Sequence, residues 1–296
     1  MDMSPRFFFF GYAAALGGRL YRPEPFDIEV EGASALTFSG GISRSEIKGK
    51  SFGRNKYIEF KRAVTHAEGR FDEKRALAVT NHELLPCELD ATTTIKAEVE
   101  GLRVGTGPTP ILTVGHVSAA MTGYSPAVSY QPAMRLTDET AFNEISINRF
   151  GLRVEVNHEL FSTYDTHAKL LAAIDDPEFT KKHGSSLLLT QPDQTRDAEP
   201  GAATLRQRRR CPPRLPGKDV IYASIVREIS WVDEQPSFAR IDGHTVVVND
   251  FGTIYFGEIL ISSMSRRLSM MRLELGSPDG GSMDVDDVGQ NGTWVP

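Results

Sequence analysis

The sequence predicts a mainly β fold: an antiparallel sandwich or two packed β units, with one helix and a disordered linker. The clearest observation is the stretch 241–281. There Val246–Val248, Ile254–Phe256, Ile259–Ile261 and Leu268–Leu275 form short β-branched and aromatic runs. Asn249, Asp250, Gly252 and the polar patch Ser262–Arg267 separate them, which is the grammar of a β-meander. From Leu268 onward no polar face emerges. Leu268, Met270, Arg272 and Glu274 share one side, and Ser269, Met271, Leu273 and Leu275 take the other. Such a strand is expected between layers or at a contact. A second observation is that strand candidates follow one another without intervening helices, which argues against a parallel α/β fold. Third, 296 residues with 40% hydrophobic and 24% charged content suffice for one large domain or two small ones.

At the N-terminus, four consecutive phenylalanines, Phe7–Phe10, lead through small residues to Gly17-Gly18, a pattern that predicts a buried strand and turn. The same run after Arg6 resembles the n-region and h-region of a secretory signal. Export is therefore the alternative to a cytoplasmic location if residues 1–18 act as a signal. The run is shorter than the roughly 20 apolar residues a bilayer span needs, so no membrane span is expected. Strand candidates then follow at Phe26–Val30, Ala33–Phe38, Tyr57–Val64 and Leu77–Thr80, punctuated by Gly40-Gly41 and the 49–55 turn. Thr92–Val104 and Ile111–Met121 alternate as strands, 123–132 reads as a loop, and 141–156 reads as two strands around Arg149-Phe150-Gly151.

One segment breaks the β pattern. Tyr164, His167, Ala168, Leu171 and Ile174 fall at helical spacing, so the single helix is placed at 163–174, capped by Ser162 or Thr163. Pro177 offsets it and permits one further turn to Lys182. Three regions result. Residues 1–183 are β-rich with the helix near 163–174, and 184–218 form a flexible Pro/Arg-rich linker. Residues 219–296 form a meander packing with the first region, ending in an acidic, turn-rich tail from Ser277.

Two internal echoes leave duplication of a β unit open beside convergence: FGLRVEVN at 150–157 against DGHTVVVN at 242–249, and 94–102 against 221–229. The tetrapeptide NHEL occurs twice, at Asn81–Leu84 and Asn157–Leu160. His82, Glu83, His158 and Glu159 are the residue types that ligate zinc, but neither copy is HExxH and neither falls on an expected helix. A strand-ending turn is therefore the simpler reading. His116 and Ser118 lack a nucleophile elbow. Asp284, Asp286 and Asp287 lack the calcium-loop order and read as a solvated acidic turn. Gly105-Thr106-Gly107 lacks the helix of a phosphate loop. Arg206–Arg210 reads as solvated linker, and the net charge of -6 argues against a nucleic-acid partner. The two cysteines, Cys87 and Cys211, imply no structural disulfide and fit a reducing compartment.

The segments TTTIKAEVEGLRV, RFGLRVEVNHELFSTYDTHAKL and LSMMRLELGSPDGGS resemble a family of bacterial β-rich proteins of unassigned function. The resemblance implies a bacterial origin and one architecture interrupted by a variable linker. It transfers no site, metal or cofactor. Without a catalytic motif, the sequence favours a non-enzymatic structural or interaction protein. It would self-assemble through β-sheet surfaces such as Leu268–Leu275, or bind another protein. The alternatives are a hydrolase assembled from His82, His158, Glu83 and Glu159, or a ligand- or glycan-binding β module using Tyr124, Tyr130 and Trp231.

Overall fold

The computed structural model describes residues 6–22, 25–53, 55–72, 90–106, 109–126, 132–174, 176–183, 220–276 and 280–295. They form two antiparallel sheets packed face to face. The chain starts in the first sheet with β1 (Arg6–Arg22) and β2 (Phe26–Ala35). It crosses to the second sheet for β3 (Gly41–Phe52), β4 (Ile58–Phe71), β5 (Ala91–Val104), β6 (Leu112–Ser125), β7 (Ala133–Leu136), β8 (Ala141–Ile147) and β9 (Phe150–Val156). Three short helices follow: α1 (His158–Thr163), α2 (His167–Ile174) and α3 (Pro177–His183). After β10 (Ile221–Ser224) and β11 (Val226–Trp231) the chain returns to the first sheet. There it makes β12 (Ala239–Asp242), β13 (Thr245–Val248), β14 (Gly252–Ile261), β15 (Ser265–Leu275) and β16 (Gly280–Val295). The first sheet runs β12-β13-β14-β15-β16-β1-β2 with β10 beside β14; the second runs β11-β9-β8-β6-β5-β4-β3 with β7 beside β6.

The mainly β, two-sheet expectation holds, and three of its details are corrected. The acidic tail is a strand: β16 lies between β15 and β1, pairing Arg6 with Val295 at one end and Arg22 with Gly280 at the other. Its glycines and aspartates have low β propensity, but a ladder on each edge satisfies its backbone, and that tertiary context overrides propensity. Among the described residues the helical segment is three short helices, with the further turn expected from Pro177 present as α3. Asn157, just before His158, accepts from the Leu160 amide through its side chain, so the helical segment begins at the second NHEL rather than at Thr163. It breaks at Tyr164, because Asp165 and Thr166 turn back to bond β7 through the Asp165 carbonyl and the Ala133–Thr166 bridge. Finally, Gly41–Phe52 is an edge strand too polar to announce itself, while the candidates at 26–30 and 33–38 merge largely into β2. The candidate strand 77–80 and the linker 184–218 lie outside the described residues.

Along β1, Phe7 and Phe9 face inward against Phe71 and Ala91, whereas Phe8 and Phe10 point outward. The N-terminal run therefore serves as a strand with two different faces.

Each sheet carries one crease in which strand after strand reverses which residues face the core. In the first sheet the registers align Gly32, Ala15, Asp286, Met270 and Gly257 in a row across β2, β1, β16, β15 and β14. Gly32, Asp286 and Gly257 have φ of 61°, 52° and 62°. In the second sheet Lys61, Gly101, Gly115 and Glu144 align across β4, β5, β6 and β8, with φ of 65° at Gly101 and 54° at Glu144. On β15 the buried set is Arg266, Leu268 and Met270 on one side of the crease, and Met271, Leu273 and Leu275 on the other. On β2, β14, β16, β5 and β8 the row residue is left-handed, whereas β1, β15, β4 and β6 between them keep negative φ at Ala15, Met270, Lys61 and Gly115; in β15 too the period-two pattern resumes with opposite parity. Both apolar sets of β15 therefore face one core.

Candidate functional site

One end of the sandwich gathers polar side chains from both sheets. A narrow crevice with room for about one water opens there between the sheets, lined by Thr93 of β5, Gly123 and Ser125 of β6, and Pro132–Met134 leading into β7. The first sheet contributes Met264, Arg266, Gln290 and Asn291. Arg266 and Gln290 are direct cross-strand partners of β15 and β16, and both are buried, at 4% and 7% exposure. Gln290 lies flat against Gly123, where any Cβ would stand 2.5 Å from Oε1.

The Arg266 guanidinium donates Nη1 to the Ser262 and Ser265 carbonyls and Nη2 to the Pro132 carbonyl at 3.3 Å. Among the described residues no carboxylate stands within ion-pair distance of it. Burial pushes its pKa down to about 10. Gln290 Oε1 and Asn291 Oδ1 are buried acceptors without a described hydrogen-bond partner. An open groove adjoins the crevice at Ala133, on the outer side of the second sheet, bordered by Tyr124, Arg135, Asp165 and Lys169.

The outer face of the first sheet carries a second polar set, in which Glu258 is paired with Arg272 and Asp287 with Arg267. Glu258 receives Arg272 Nε at 2.6 Å and Nη2 at 2.9 Å and the Tyr222 hydroxyl at 2.8 Å, with His244 Nε2 at 3.7 Å. Arg272 also meets Glu274 at 2.5 Å and lies 3.7 Å from the Tyr255 ring centroid. Burial pushes the Glu258 carboxyl up, but the Arg272 and Tyr222 hydrogen bonds, the Arg272 charge and the neighbouring His244 ring outweigh it and hold the group at about 2. Arg267 binds Asp287 through Nε at 3.0 Å and Nη2 at 2.8 Å, and Tyr12 beside them is pushed up to about 12 by burial and the Asp287 charge. Groups held this firmly in one charge state serve cohesion rather than proton transfer.

The structure disperses the residues singled out in the sequence. Glu159 is exposed and held by Lys182 at 2.8 Å and Arg227 at 3.4 Å, while His158 Nδ1 is buried without a described partner. His82 and Glu83 lie outside the described residues, and no group of three or more metal-ligating side chains occurs among those described. His116 contacts Glu98 at 3.4 Å and Asn143 at 3.3 Å, away from the buried Ser118 hydroxyl. The expected solvated turn at Asp284–Asp287 is instead strand, with Asp286 fully buried in the crease. Trp231 is packed against the core, Tyr124 bonds Asp90 at 2.5 Å on the groove wall, and Tyr130 lies outside the described residues, so these aromatics build no common platform. Cys87, Cys211 and Arg206–Arg210 are likewise outside them. Arg266, Gln290, Glu258 and Arg272 carried no sequence motif; only strand register brings them together.

No helix among the described residues is long and apolar enough to cross a membrane. No curated protein and no solved structure matches the chain. Residues 7–262, which stop short of β15 and β16, match a family described only as a domain of unknown function (DUF8256), and the chain belongs to that family.

Proposed function

We propose that this chain is a non-enzymatic interaction protein whose contact surface is the aromatic row on the outer face of β1. The observation that carries this reading is the exposure of Phe8, Phe10 and Phe38, the last two at 48% and 69%. Phe8 meets Phe38 edge-on at 5.9 Å, and Phe10 meets Tyr12 at 6.2 Å, so the rings form one contiguous strip. The Arg267–Asp287 pair beside Tyr12 supplies a polar rim. An apolar strip with such a rim has the composition of a contact surface.

The strip takes over the role expected of Leu268–Leu275, whose leucines and methionines are buried between the sheets. Edge-to-edge assembly is disfavoured as well. The edge strand β3 of the second sheet carries Arg44, Glu46, Lys48 and Lys50, and the edge strand β12 of the first sheet is only 4 residues long. A flat strip repeated on a second copy is self-complementary about a twofold axis, which favours self-association.

Light scattering across a concentration series tests this. The mass of the wild-type chain should rise with concentration, and Phe10→Ser with Phe38→Ser should hold it at the monomer while leaving the circular dichroism unchanged. A wild-type chain that stays strictly monomeric at high concentration overturns self-association.

A further inference from the structure

We propose that the open groove beside Ala133 binds a carboxylated sugar, a uronate residue, with Arg135 receiving its carboxylate. The groove lies on the outer side of the second sheet, and nothing in it depends on the aromatic row of β1. It offers about 440 Å³, within the range of small-molecule sites and ample for a sugar ring. Its walls belong to the frame of the fold rather than to loose surface chains. Thr122 and Tyr124 of β6 stand opposite Arg135 and Ala133 of β7 in one ladder. The other wall is Asp165 and Thr166 with Lys169 of α2. It is fixed to β7 by the Ala133–Thr166 bridge and by the Met134 amide, which donates to the Asp165 carbonyl at 2.6 Å.

The lining sets the chemistry. Asp165 accepts Lys169 Nζ at 2.8 Å, a pairing across one helical turn. Arg135 reaches the same carboxylate only at 3.8 Å, makes no side-chain hydrogen bond among the described residues, and is 67% exposed. Among the described lining residues the groove thus holds one cation more than it holds carboxylates. That surplus matches a monoanion, and a guanidinium grips a carboxylate with two parallel hydrogen bonds. The neutral part of the lining suits hydroxyls and a flat apolar face. Thr166 Oγ1 accepts from the Lys169 amide at 3.3 Å and keeps its own hydrogen to donate, and Thr122 adds a second hydroxyl. The Tyr124 hydroxyl donates to Asp90 at 2.5 Å, which fixes the ring, and the residue is exposed at the groove beside Pro126 and Ala133. A sugar ring turns C–H groups to such an aromatic surface and its hydroxyls to the rim. A simple aliphatic acid would use the guanidinium alone, a phosphate dianion would exceed the single surplus charge, and a neutral sugar would use only the hydroxyls and the ring.

The test uses the full chain in titration calorimetry at matched ionic strength, with D-galacturonate, its trimer, D-galactose and inorganic phosphate. Galacturonate should bind saturably and about tenfold tighter than galactose, the effect expected of one charge-assisted pair near the surface. A trimer that binds tighter than the monomer assigns the uronate to a polysaccharide, and a trimer that binds no tighter assigns it to the free acid; either result supports the site. Arg135→Gln should bring galacturonate down to the galactose level, leave galactose itself unchanged and, at so exposed a position, keep the wild-type Tm. Tyr124→Leu should weaken both sugars. Arg153→Gln, which removes another exposed arginine on β9, should change nothing. The proposal is overturned by the absence of saturable heat with galacturonate and its trimer, by galactose or phosphate binding as tightly as galacturonate, or by an undiminished affinity in Arg135→Gln.

Discussion

Replacing Glu258 by Gln turns the outer-face network into a measurement. The carboxyl sits at about 2 against an ordinary value of 4.5. At about 1.4 kcal/mol for each tenfold change in the proton equilibrium, the ionised form is favoured in the fold by about 3 kcal/mol. The group is nearly buried, so solvent screening removes little of this. Because the folded value is depressed, that stability is present above the unfolded value of 4.5 and is lost as pH falls through 2. Gln mimics the protonated acid in shape. It leaves Arg272 with Glu274 as its carboxylate partner at 2.5 Å. At pH 7 the variant should therefore lose about 3 kcal/mol, visible as a fall of about 1 M in the urea midpoint. At pH 3 the gap should shrink to about 1.4 kcal/mol, since the wild-type group is then giving up the same advantage. A loss below about 1 kcal/mol at pH 7, or a gap that stays constant down to pH 3, would refute the assignment.

Two further perturbations probe the crease and the helical segment. Burial, with the Glu98 charge, pushes Asp286 well above the ordinary carboxyl range, and the Val99 amide and Lys96 oppose it only in part. A raised folded value means that its stabilising effect is complete below 3.8 and is lost as pH rises. Asp286→Asn, which also tolerates φ of 52°, should thus gain about 1–3 kcal/mol over the wild type at pH 8 and nothing at pH 3; an equal effect at both pH values would contradict this. Asn157→Ala removes the acceptor for the Leu160 amide at 3.2 Å and for Arg227 at 3.3 Å, so it should cost about 1–2 kcal/mol in chemical unfolding. Asn157→Asp should restore most of that loss, and an alanine variant as stable as the wild type would deny the capping role.

How much of this was legible depends on whether the signal was local. The two-sheet class, the strands β5, β6, β8 and β9, and the meander from 241 onward were readable because each carries its apolar period in its own residues. The helix start is half readable: Asn157 stands out through its repeat, and as a cap with Glu159 in the first turn it marks a helix start at His158 that the apolar spacing from Tyr164 does not. The last strand was hidden by composition, since Gly280, Gly281, Gly289 and Gly292 flank the acids Asp284, Asp286 and Asp287, and only its two neighbours make it a strand. The crevice was not legible at all. Arg266 and Gln290 are ordinary polar residues until the β15–β16 register sets them side by side facing inward.

The mixed faces of β15 were a correct signal for a different cause. A contact on both sides would explain two apolar sets, but the crease explains them with one core. If the parity seen at Arg266, Leu268 and Met270 had continued, Arg272 and Glu274 would point between the sheets; on β16 the parity of Gln290 and Val288 would carry Asp284 inward. The reversal at Met270 and Asp286 sends Leu273, Leu275, Met283 and Val285 into the core instead, and leaves Arg272 outside to meet Glu258. A crease with left-handed residues on alternate strands, at Gly32, Asp286 and Gly257, thus decides which polar groups of the same strands are solvent-side and paired, and which, like Arg266 and Gln290, are enclosed without a charge partner among the described residues. The cost falls on the node of the row, where Asp286 is buried with neither oxygen in a hydrogen bond of ordinary geometry among the described residues. Asp286→Asn and Arg266→Met therefore address two consequences of one backbone feature. Because the residues share no partner, their stability effects should add in the double variant.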